Sequence, residues 1–440
     1  MTKIVAGGFA VLIAVVVSAS GQNGAQPNGA TILTPGYGDG APPAYAFDIT
    51  KADIDLLLKD HPGGDKQMRV VDMGKYNEGV GLIYRGPTND KPGDPIHVLY
   101  HDFTPENYLI ISGGGVLTTG GVIDQKTHSN GVPNVMNGPG GAGIAGRGAY
   151  SRKVSTGDII IVPTGVAHGW SQITDHVTYL SFRPDPDRVL PAGWVYPTLL
   201  KNLPEQITIP QPQGPGRGRG GTQGQAPPAA GSIVSGGAPI PTPGQGAGAP
   251  PAYAFDITKA EIDMILKNDP GTDRQLRVVD MGKFNEGVGV IHRGPTNDKP
   301  GDPIRVLYHD YTPENYYILS GGGVLTTGGI IENRSGGRGG VPNVMNGPGG
   351  GGIAGRGAYS RRVSAGDIII VPRGVAHGWS QVTDHVDYLS FRPDPDRVLP
   401  AGWVYPMLLK NLPEEVKTPQ TQAPARGRGG AQGQPPPSAR

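Results

Sequence analysis

"GDIIIVPTGVAHGW" occupies Gly157–Trp170, and the near copy "GDIIIVPRGVAHGW" occupies Gly366–Trp379. In each copy a Gly-Asp turn precedes a run of consecutive apolar residues, which is typical of a short strand buried on both faces. A Pro-x-Gly turn follows, in which the glycine can adopt a positive φ. His168 and His377 come three residues after that glycine, just inside the next strand. The stretch therefore predicts a β-barrel with a histidine pointing into it, twice in one chain.

The chain of 440 residues is one unit of sequence written twice. "APPAYAFDITKA" at Ala41–Ala52 recurs at Ala249–Ala260. "SFRPDPDRVLPAGWVYP" at Ser181–Pro197 recurs at Ser390–Pro406. Repeats of this length in the same order predict two domains of one fold.

Each unit begins with one predicted helix and continues with strands. Thr50 is a suitable N-cap, and Asp53 lies where a capping carboxylate reaches back to it. His61-Pro62-Gly63 should end the helix. Seven or eight short β-branched or aromatic runs follow, separated by Gly, Pro, Asn and Asp. We therefore predict an all-β fold of two tandem barrel or jelly-roll domains, each with a short N-terminal helix.

Composition sets the domain boundaries that we predict. Glycine (73) and proline (45) make up about a quarter of the chain, and they are abundant between and after the two units, where too little apolar surface exists to offset the entropy of ordering. The predicted segments are a signal peptide at 1–20, a disordered stretch at 21–40, a first barrel at 41–204, a disordered linker rich in Pro, Gly and Gln at 205–248, a second barrel at 249–413 and a disordered tail at 414–440.

The first 20 residues predict export to the periplasm or the outside of the cell. A lysine precedes an apolar run from Ile4 to Val17, and small residues suited to cleavage follow. The run is short for a bilayer span, although an uncleaved anchor is the alternative. Lys plus Arg (38) nearly balances Asp plus Glu (37), so we expect neither nucleic acid nor, after cleavage, membrane as a partner. The absence of Cys excludes disulfides and thiolate metal sites.

Two histidines and a glutamate per unit form the candidate metal site. In "IHVLYHDFTPENYLIIS", His101 ends one predicted strand and Glu106 begins the next, so both can face the same side of a hairpin. Together with His168 they supply two imidazoles and one carboxylate, a set that suits Zn, Fe or Mn. The equivalent residues of the second unit are His309, Glu314 and His377.

Two sequence motifs in each unit resemble those of the cupin family. One is G-x5-P-x-G-x2-H, and the other is the family's G-x5-H-x-H-x4-E-x6-G, of which three of four ligand positions are kept. The matching residues are Gly93, His101, Glu106, Gly113, Gly157, Pro163, Gly165 and His168, and then Gly301, His309, Glu314, Gly321, Gly366, Pro372, Gly374 and His377. The chain thus resembles a tandem double-domain cupin, or bicupin, over about 320 residues. The resemblance implies a small-molecule ligand or substrate in each barrel.

One ligand position departs from the family pattern. The resemblance implies three His and one Glu around the metal, but Leu99 and Leu307 stand where the first His belongs. His97 lies two residues earlier on the same strand face, although its counterpart is Arg305. Two interpretations stay open: a three-ligand metal site with open positions, or a degenerate site that binds an organic ligand without metal.

Three classes of function are compatible with this pattern. The first is a metal-dependent enzyme acting on a small polar substrate. The second is a non-catalytic bicupin that binds a small molecule such as a sugar or a phenolic. The third is a structural protein, in which the two barrels pair with each other or the chain forms homo-oligomers.

Several other residues receive lesser roles. Tyr108 and Tyr316 follow the glutamates by two and should share the inward face, where core packing is favoured over an acid or orienting role. His176 and His385 lie in "TDH" turns that predict a surface position. The G-x-G-x-x-G at Gly141–Gly146 has no helix after it, so we expect a flexible loop rather than a dinucleotide site.

Overall fold

The computed structural model describes residues 45–60, 62–129, 135–202, 253–269, 271, 273–336 and 345–411. The signal peptide, the linker, the tail and the end points predicted for both barrels lie outside these residues, so they stay predictions.

The first unit contains one α-helix, ten strands of the barrel and one strand that precedes them. In chain order the elements are β1 (Phe47–Ile49), α1 (Lys51–Asp60), β2 (Gly64–Asp72), β3 (Asn77–Arg85), β4 (His97–His101), β5 (Glu106–Thr119), β6 (Ile123–Ser129), β7 (Gly140–Ala145), β8 (Tyr150–Ser155), β9 (Ile159–Val162), β10 (His168–Ser171), β11 (Val177–Asp185) and a 3-10 helix (Pro197–Asn202).

The second unit repeats this order. Its elements are β12 (Phe255–Ile257), α2 (Lys259–Asn268), β13 (Asp273–Asp280), β14 (Asn285–Arg293), β15 (Arg305–His309), β16 (Glu314–Thr327), β17 (Ile331–Gly336), β18 (Gly349–Ala354), β19 (Tyr359–Ser364), β20 (Ile368–Val371), β21 (His377–Ser380), β22 (Val386–Asp394) and a 3-10 helix (Pro406–Asn411). The predicted class, two similar all-β domains each preceded by a short helix, is confirmed.

The start of the helix follows the sequence signal. The N–H and the hydroxyl of Thr50 donate to Asp53 Oδ2 at 3.0 and 2.8 Å, and the N–H of Asp53 donates back to Thr50 Oγ1 at 3.1 Å. This reciprocal pair satisfies N–H groups that have no partner within the helix. The helix ends at Asp60, next to the predicted stop.

Each unit folds its strands around one long central strand. The order in the first unit is β2-β3-β11-β5-β10-β4-β7-β6, and β8 and β9 also pair with β5. All these pairs are antiparallel, and the 14-residue β5 pairs with β9 and β11 along its first half and with β8 and β10 along its second. The sheet therefore closes over itself as a jelly roll, and Glu106 lies where β5 enters it.

The two units exchange strands. β1 pairs with β20 of the second unit, from Phe47 opposite Ile370 to Ile49 opposite Ile368. β12 pairs in the same way with β9 of the first unit. Each 11-stranded sheet thus contains one strand from the other unit.

A common hydrophobic core joins the units behind these exchanged strands. The rings of Phe182 and Phe391 stack across it with their centroids 4.6 Å apart. Both rings are fully buried. Burial of large apolar side chains from both units means that the two barrels pack as one body.

The prediction of a flexible loop at the glycine-rich segment is wrong. Residues Gly140–Ala145 form β7, which pairs with both β4 and β6. A Cβ atom at Gly141 would overlap the carbonyl oxygen of Thr127, and one at Gly140 would overlap that of Tyr100. The glycines therefore let β7 approach its neighbours closely, a role that propensity does not reveal.

Within the described part of the chain, none of the helices has the length and apolar character needed to span a bilayer.

Candidate metal centre

Strand ends bring the three predicted ligands of the first unit together. His101 ends β4, Glu106 begins β5, and His168 begins β10, opposite Leu99 of β4. The Pro-x-Gly turn that precedes His168 contains Gly165 at φ 78°, and the Gly165 N–H donates to the carbonyl oxygen of His101 at 2.8 Å. The turn is therefore tied to the ligand strand that it faces.

The ligand atoms of each triad surround a common point. His101 Nε2 and His168 Nε2 lie 3.4 and 3.3 Å from Glu106 Oε2. In the second unit the distances from His309 and His377 to Glu314 Oε2 are the same, 3.4 and 3.3 Å. One ligand atom from each residue of a triad lies within 4.8 Å of the others, and all six residues are buried. The structure thus brings together all six residues proposed as ligands.

The tautomer of His168 leaves a nitrogen lone pair facing a carboxylate. His168 Nδ1 lies 3.0 Å from the carbonyl oxygen of Val166, which can only accept, so this contact assigns the hydrogen to Nδ1. Burial lowers the pKa of His168 to about 4, so the ring is neutral at pH 7. Its Nε2 and Glu106 Oε2 are then two acceptors facing each other at 3.3 Å. Such a pair repels unless a cation or a proton lies between its members, so the donor set fits a divalent ion.

The second unit has the same arrangement. His377 Nδ1 lies 2.9 Å from the carbonyl oxygen of Val375. Burial also lowers the pKa of His309 in this unit. In each site, burial therefore lowers the pKa of one imidazole that faces the carboxylate.

A buried arginine holds the carboxylate of each triad. Arg183 Nε and Nη2 lie 2.8 and 2.6 Å from Glu106 Oε1, and the Tyr108 hydroxyl donates to Oε2. Burial alone would raise the pKa of Glu106, but Arg183, followed by His101 and His168, outweighs burial and holds that pKa well below its usual range. Because Arg183 occupies Oε1, Glu106 presents mainly Oε2 to the imidazoles. Arg392 and Tyr316 make the same contacts with Glu314.

Sequence reasoning missed Arg183 and Arg392. Arg183 is 1 % exposed, and a Cβ atom at Gly81 of the neighbouring strand would collide with its Nη1. Gly81 therefore provides the space that the guanidinium fills. A signal was available in "VTYLSFRPD", because Arg183 shares its strand face with Tyr179, and a charged residue within a buried strand needs a buried partner.

The motif glycines explain why these strand ends meet. All eight glycines of the two motifs have positive φ, among them Gly93 (97°), Gly113 (70°) and Gly157 (93°). Gly93 precedes the ligand strand β4, Gly113 lies within β5, and Gly157 precedes β9, which pairs with β5. The jelly-roll order occurs twice around them. The fold is that of a double cupin. Motif positions, strand order and triads all agree with it.

No family model matches this chain, and no curated protein matches it. Solved structures are similar to it in fold. A salicylate 1,2-dioxygenase from Pseudaminobacter salicylatoxidans is 11% identical, covers 80% of this chain and 84% of its own, and has a TM-score of 0.38. The oxalate decarboxylase of Bacillus subtilis, studied for its Mn(II) centres, is 14% identical, covers 80% of this chain and 73% of its own, and has a TM-score of 0.34.

The fourth ligand position of the motif carries no histidine in either unit. Leu99 is half-buried, and Leu307 is 48% exposed. His97 is exposed at the start of β4. Among the residues that the structure describes, no fourth His, Cys, Asp or Glu joins either triad. An ion held here would keep open positions on the side of these leucines.

The two units differ near the end of one barrel strand, β3 or β14, rather than at the triads. Tyr84 stacks on His176 with 5.8 Å between ring centroids, and its counterpart His292 stacks on His385 at 6.1 Å. In addition, His292 Nδ1 lies 2.6 Å from Asp387 Oδ1. The side chain of His176 is 28% exposed, in agreement with the surface position expected of its turn. The two units therefore share the contacts of their triads and differ at the position of Tyr84 and His292.

Proposed function

We propose that each barrel binds one divalent metal ion through two histidines and one glutamate, and that the loaded site acts on a small organic anion. The observation that carries the proposal is the contact between His168 Nε2 and Glu106 Oε2, two buried acceptors 3.3 Å apart. A cation between them removes the repulsion and uses the third donor, His101 Nε2, at the same point.

The residues of the first barrel divide this work. His101, Glu106 and His168 would hold the ion, and Zn, Fe or Mn suits such a donor set. Arg183 and Tyr108 orient the carboxylate and keep it ionised, while Val166 fixes the tautomer of His168. When bound, the ion would act as a Lewis acid on a carbonyl or hydroxyl group, or activate water or O2.

The charge of the site favours an anion as the further ligand. Glu106 and Arg183 cancel each other, and the neutral imidazole of His168 adds no charge, so a divalent ion leaves an uncompensated charge of about +2 in a low-dielectric interior. An anionic substrate group at an open position reduces this charge. Leu99 lies beside His168 in the sheet and offers apolar surface to the rest of such a molecule.

The second candidate is a non-catalytic bicupin that binds a sugar or a phenolic without metal. It is favoured by Leu99 and Leu307, which remove one ligand, and by Arg183, which already neutralises the carboxylate. For either function we also propose export to the periplasm or the exterior, supported by the sequence of residues 1–20.

Metal analysis tests the proposal. We expect mass spectrometry of protein reconstituted with Zn, Mn or Fe(II) to find about two ions per chain, and to find none after His101, His168, His309 and His377 are all changed to Ala. The matched control changes His176 and His385, which lie outside the triads, to Ala and should keep both ions. A parent protein that retains no metal after reconstitution would contradict the metal site and favour the second candidate.

Anion binding gives a second test. In Co(II)-loaded protein we expect a small carboxylate such as acetate to change the visible absorption spectrum, and the neutral acetamide to leave it unchanged. Equal spectral changes with both would show that charge does not select the ligand.

A further inference from the structure

A cavity of about 440 Å³ lies at the seam where β12 of the second unit joins β9 of the first. Both units line it: Tyr150, Arg152 and Ile160 come from the first, and Phe255 and Arg277 from the second. Its volume falls within the range of small-molecule sites. None of the triad residues lines it, so it is separate from the candidate metal centre.

Two arginines of this cavity contact the same aspartate, one at its carboxylate and one at its backbone oxygen. Arg152 Nη2 binds Asp256 Oδ1, and Arg152 Nη1 donates to Thr119 Oγ1 at 2.9 Å. Arg152 Nε is buried and has no hydrogen-bond partner. Arg277 is 5% exposed and donates from Nη1 to the backbone oxygen of Asp256 at 3.3 Å. One aspartate thus faces two guanidinium groups.

The other acids of the cavity are already engaged. Asp158 Oδ1 accepts from the Lys259 N–H at 2.8 Å, and Asp158 Oδ2 accepts from the Ser155 N–H at 2.8 Å. Glu261 Oε2 accepts from the Thr258 N–H at 2.7 Å in the cap of α2. Arg152 Nε thus remains a buried donor without a hydrogen-bond partner beside these engaged acids, and such a donor is costly.

Aromatic faces surround the guanidinium groups. Arg277 Cζ lies 5.0 Å from the centroid of the Phe255 ring, and Arg152 Cζ lies 5.7 Å from that of Tyr150. Ile160 and Met264 add aliphatic surface. The lining combines a flat apolar wall with cationic donors at one place.

We infer that the seam cavity binds a small organic anion with a flat apolar body, such as an aromatic carboxylate. A carboxylate would accept from Arg152 Nε and from the guanidinium of Arg277, and the ring would pack against Phe255 and Met264. Planar guanidinium groups match the geometry of a carboxylate, and hydrogen bonds between charged groups are the strong ones.

The donor arrangement occurs again at the other seam. Arg361 Nη2 binds Asp48, Arg361 Nε is likewise buried without a partner, and Arg69 Cζ lies 5.0 Å from the Phe47 ring centroid. The lining differs at Met264, whose counterpart is Leu56. The chain thus supplies its own comparison for the experiment.

Isothermal titration with 2-naphthoate tests the inference, with the uncharged 2-naphthamide as the comparison probe. We expect naphthoate to bind to the full chain and naphthamide to bind at least about tenfold more weakly, because it cannot form charge-assisted bonds. Met264→Trp fills the cavity without removing a charge. Arg152→Gln removes Arg152 Nε, the buried donor without a partner. Each should abolish binding at this seam or weaken it about tenfold or more.

The matched control is Arg361→Gln, which loses the same ion pair at the other seam and should leave naphthoate binding at this one unchanged. The chain in which His101, His168, His309 and His377 are Ala should also still bind naphthoate, which separates the seam from the metal proposal. No binding to the parent, equal affinity for naphthamide, or full affinity in Met264→Trp would overturn the inference.

Discussion

The pKa values of two buried glutamates in the first barrel are shifted in opposite directions. Glu106 faces the interior of the barrel and Glu78 faces the second unit, and both are almost wholly buried, at 2% and 0% exposed. The pKa of Glu106 lies well below its usual range because Arg183 outweighs the cost of burial. Burial raises the pKa of Glu78 well above its usual range, and the nearby Asn315 and Tyr76 offset this only in part.

The difference between them comes from the alternation of side chains along β11. In the register of the sheet, Arg183 lies opposite Gly79, and Pro184 lies opposite Glu78. The cation therefore reaches the barrel interior, while the residue next to it offers no charge to the other face. Burial raises the cost of ionisation for both carboxylates, and a single neighbouring cation decides the direction in which the pKa shifts.

Removing the Arg183 side chain should have the largest effect on stability. We expect Arg183→Leu to lower the free energy of unfolding by about 3–5 kcal/mol, because it leaves the Glu106 charge buried without its partner. The midpoint of urea unfolding measures this loss. The double variant Glu106→Leu with Arg183→Leu should recover part of it, and a single variant as stable as the parent would show that the pair is not a structural unit.

Reducing the space around the Arg183 guanidinium should have a smaller effect on stability. A Cβ atom at Gly81 collides with Arg183 Nη1, so we expect Gly81→Ala to cost about 1–3 kcal/mol of unfolding free energy. Gly86 provides the control, because a Cβ there would have no neighbour closer than 3.9 Å. Gly86→Ala should change the unfolding midpoint little. Equal losses in both variants would mean that the space around Arg183 is not what Gly81 provides.

Replacing Glu78 by an uncharged residue should have the smallest effect, and it should raise the free energy of unfolding rather than lower it. The folded pKa of Glu78 is raised, so its contribution to stability is fully present below the unfolded pKa and is lost as pH rises toward the folded value. We expect Glu78→Gln to raise the free energy of unfolding by about 1 kcal/mol at pH 8 and to flatten its decline with pH. Glu332→Gln, a change on the exposed surface, is the control in the same pH series of unfolding curves. A Glu78→Gln variant whose stability declines as steeply with pH as that of the parent would contradict a raised pKa of Glu78.

Local signals in the sequence predicted the elements that carry the ligands. The Thr50 cap, the strand end at His101 and the strand starts at Glu106 and His168 all follow from turn residues and apolar runs close by in the chain. Such features depend on short-range sterics and burial, so periodicity and turn chemistry reveal them.

Features that depend on distant contacts were not predicted. Arg183 is understood only once Glu106 and Gly81 lie beside it in the sheet. β7 contains glycines because a side chain at Gly140 or Gly141 would overlap the backbone of β4 or β6. The pairing of β1 with β20 crosses from one unit to the other, and no local pattern states which sheet edge a three-residue strand will join.

The exchanged strands bear on how such a chain can arise and be divided. A polypeptide consisting of one unit would leave its Phe47–Ile49 segment without the strand with which it pairs here, and its Ile159–Val162 edge uncovered. A second identical molecule could satisfy both needs through a twofold-symmetric dimer. Gene duplication with fusion thus places a dimer within a single polypeptide. A protease that cuts between the two units would leave two fragments that stay associated through the exchanged strands.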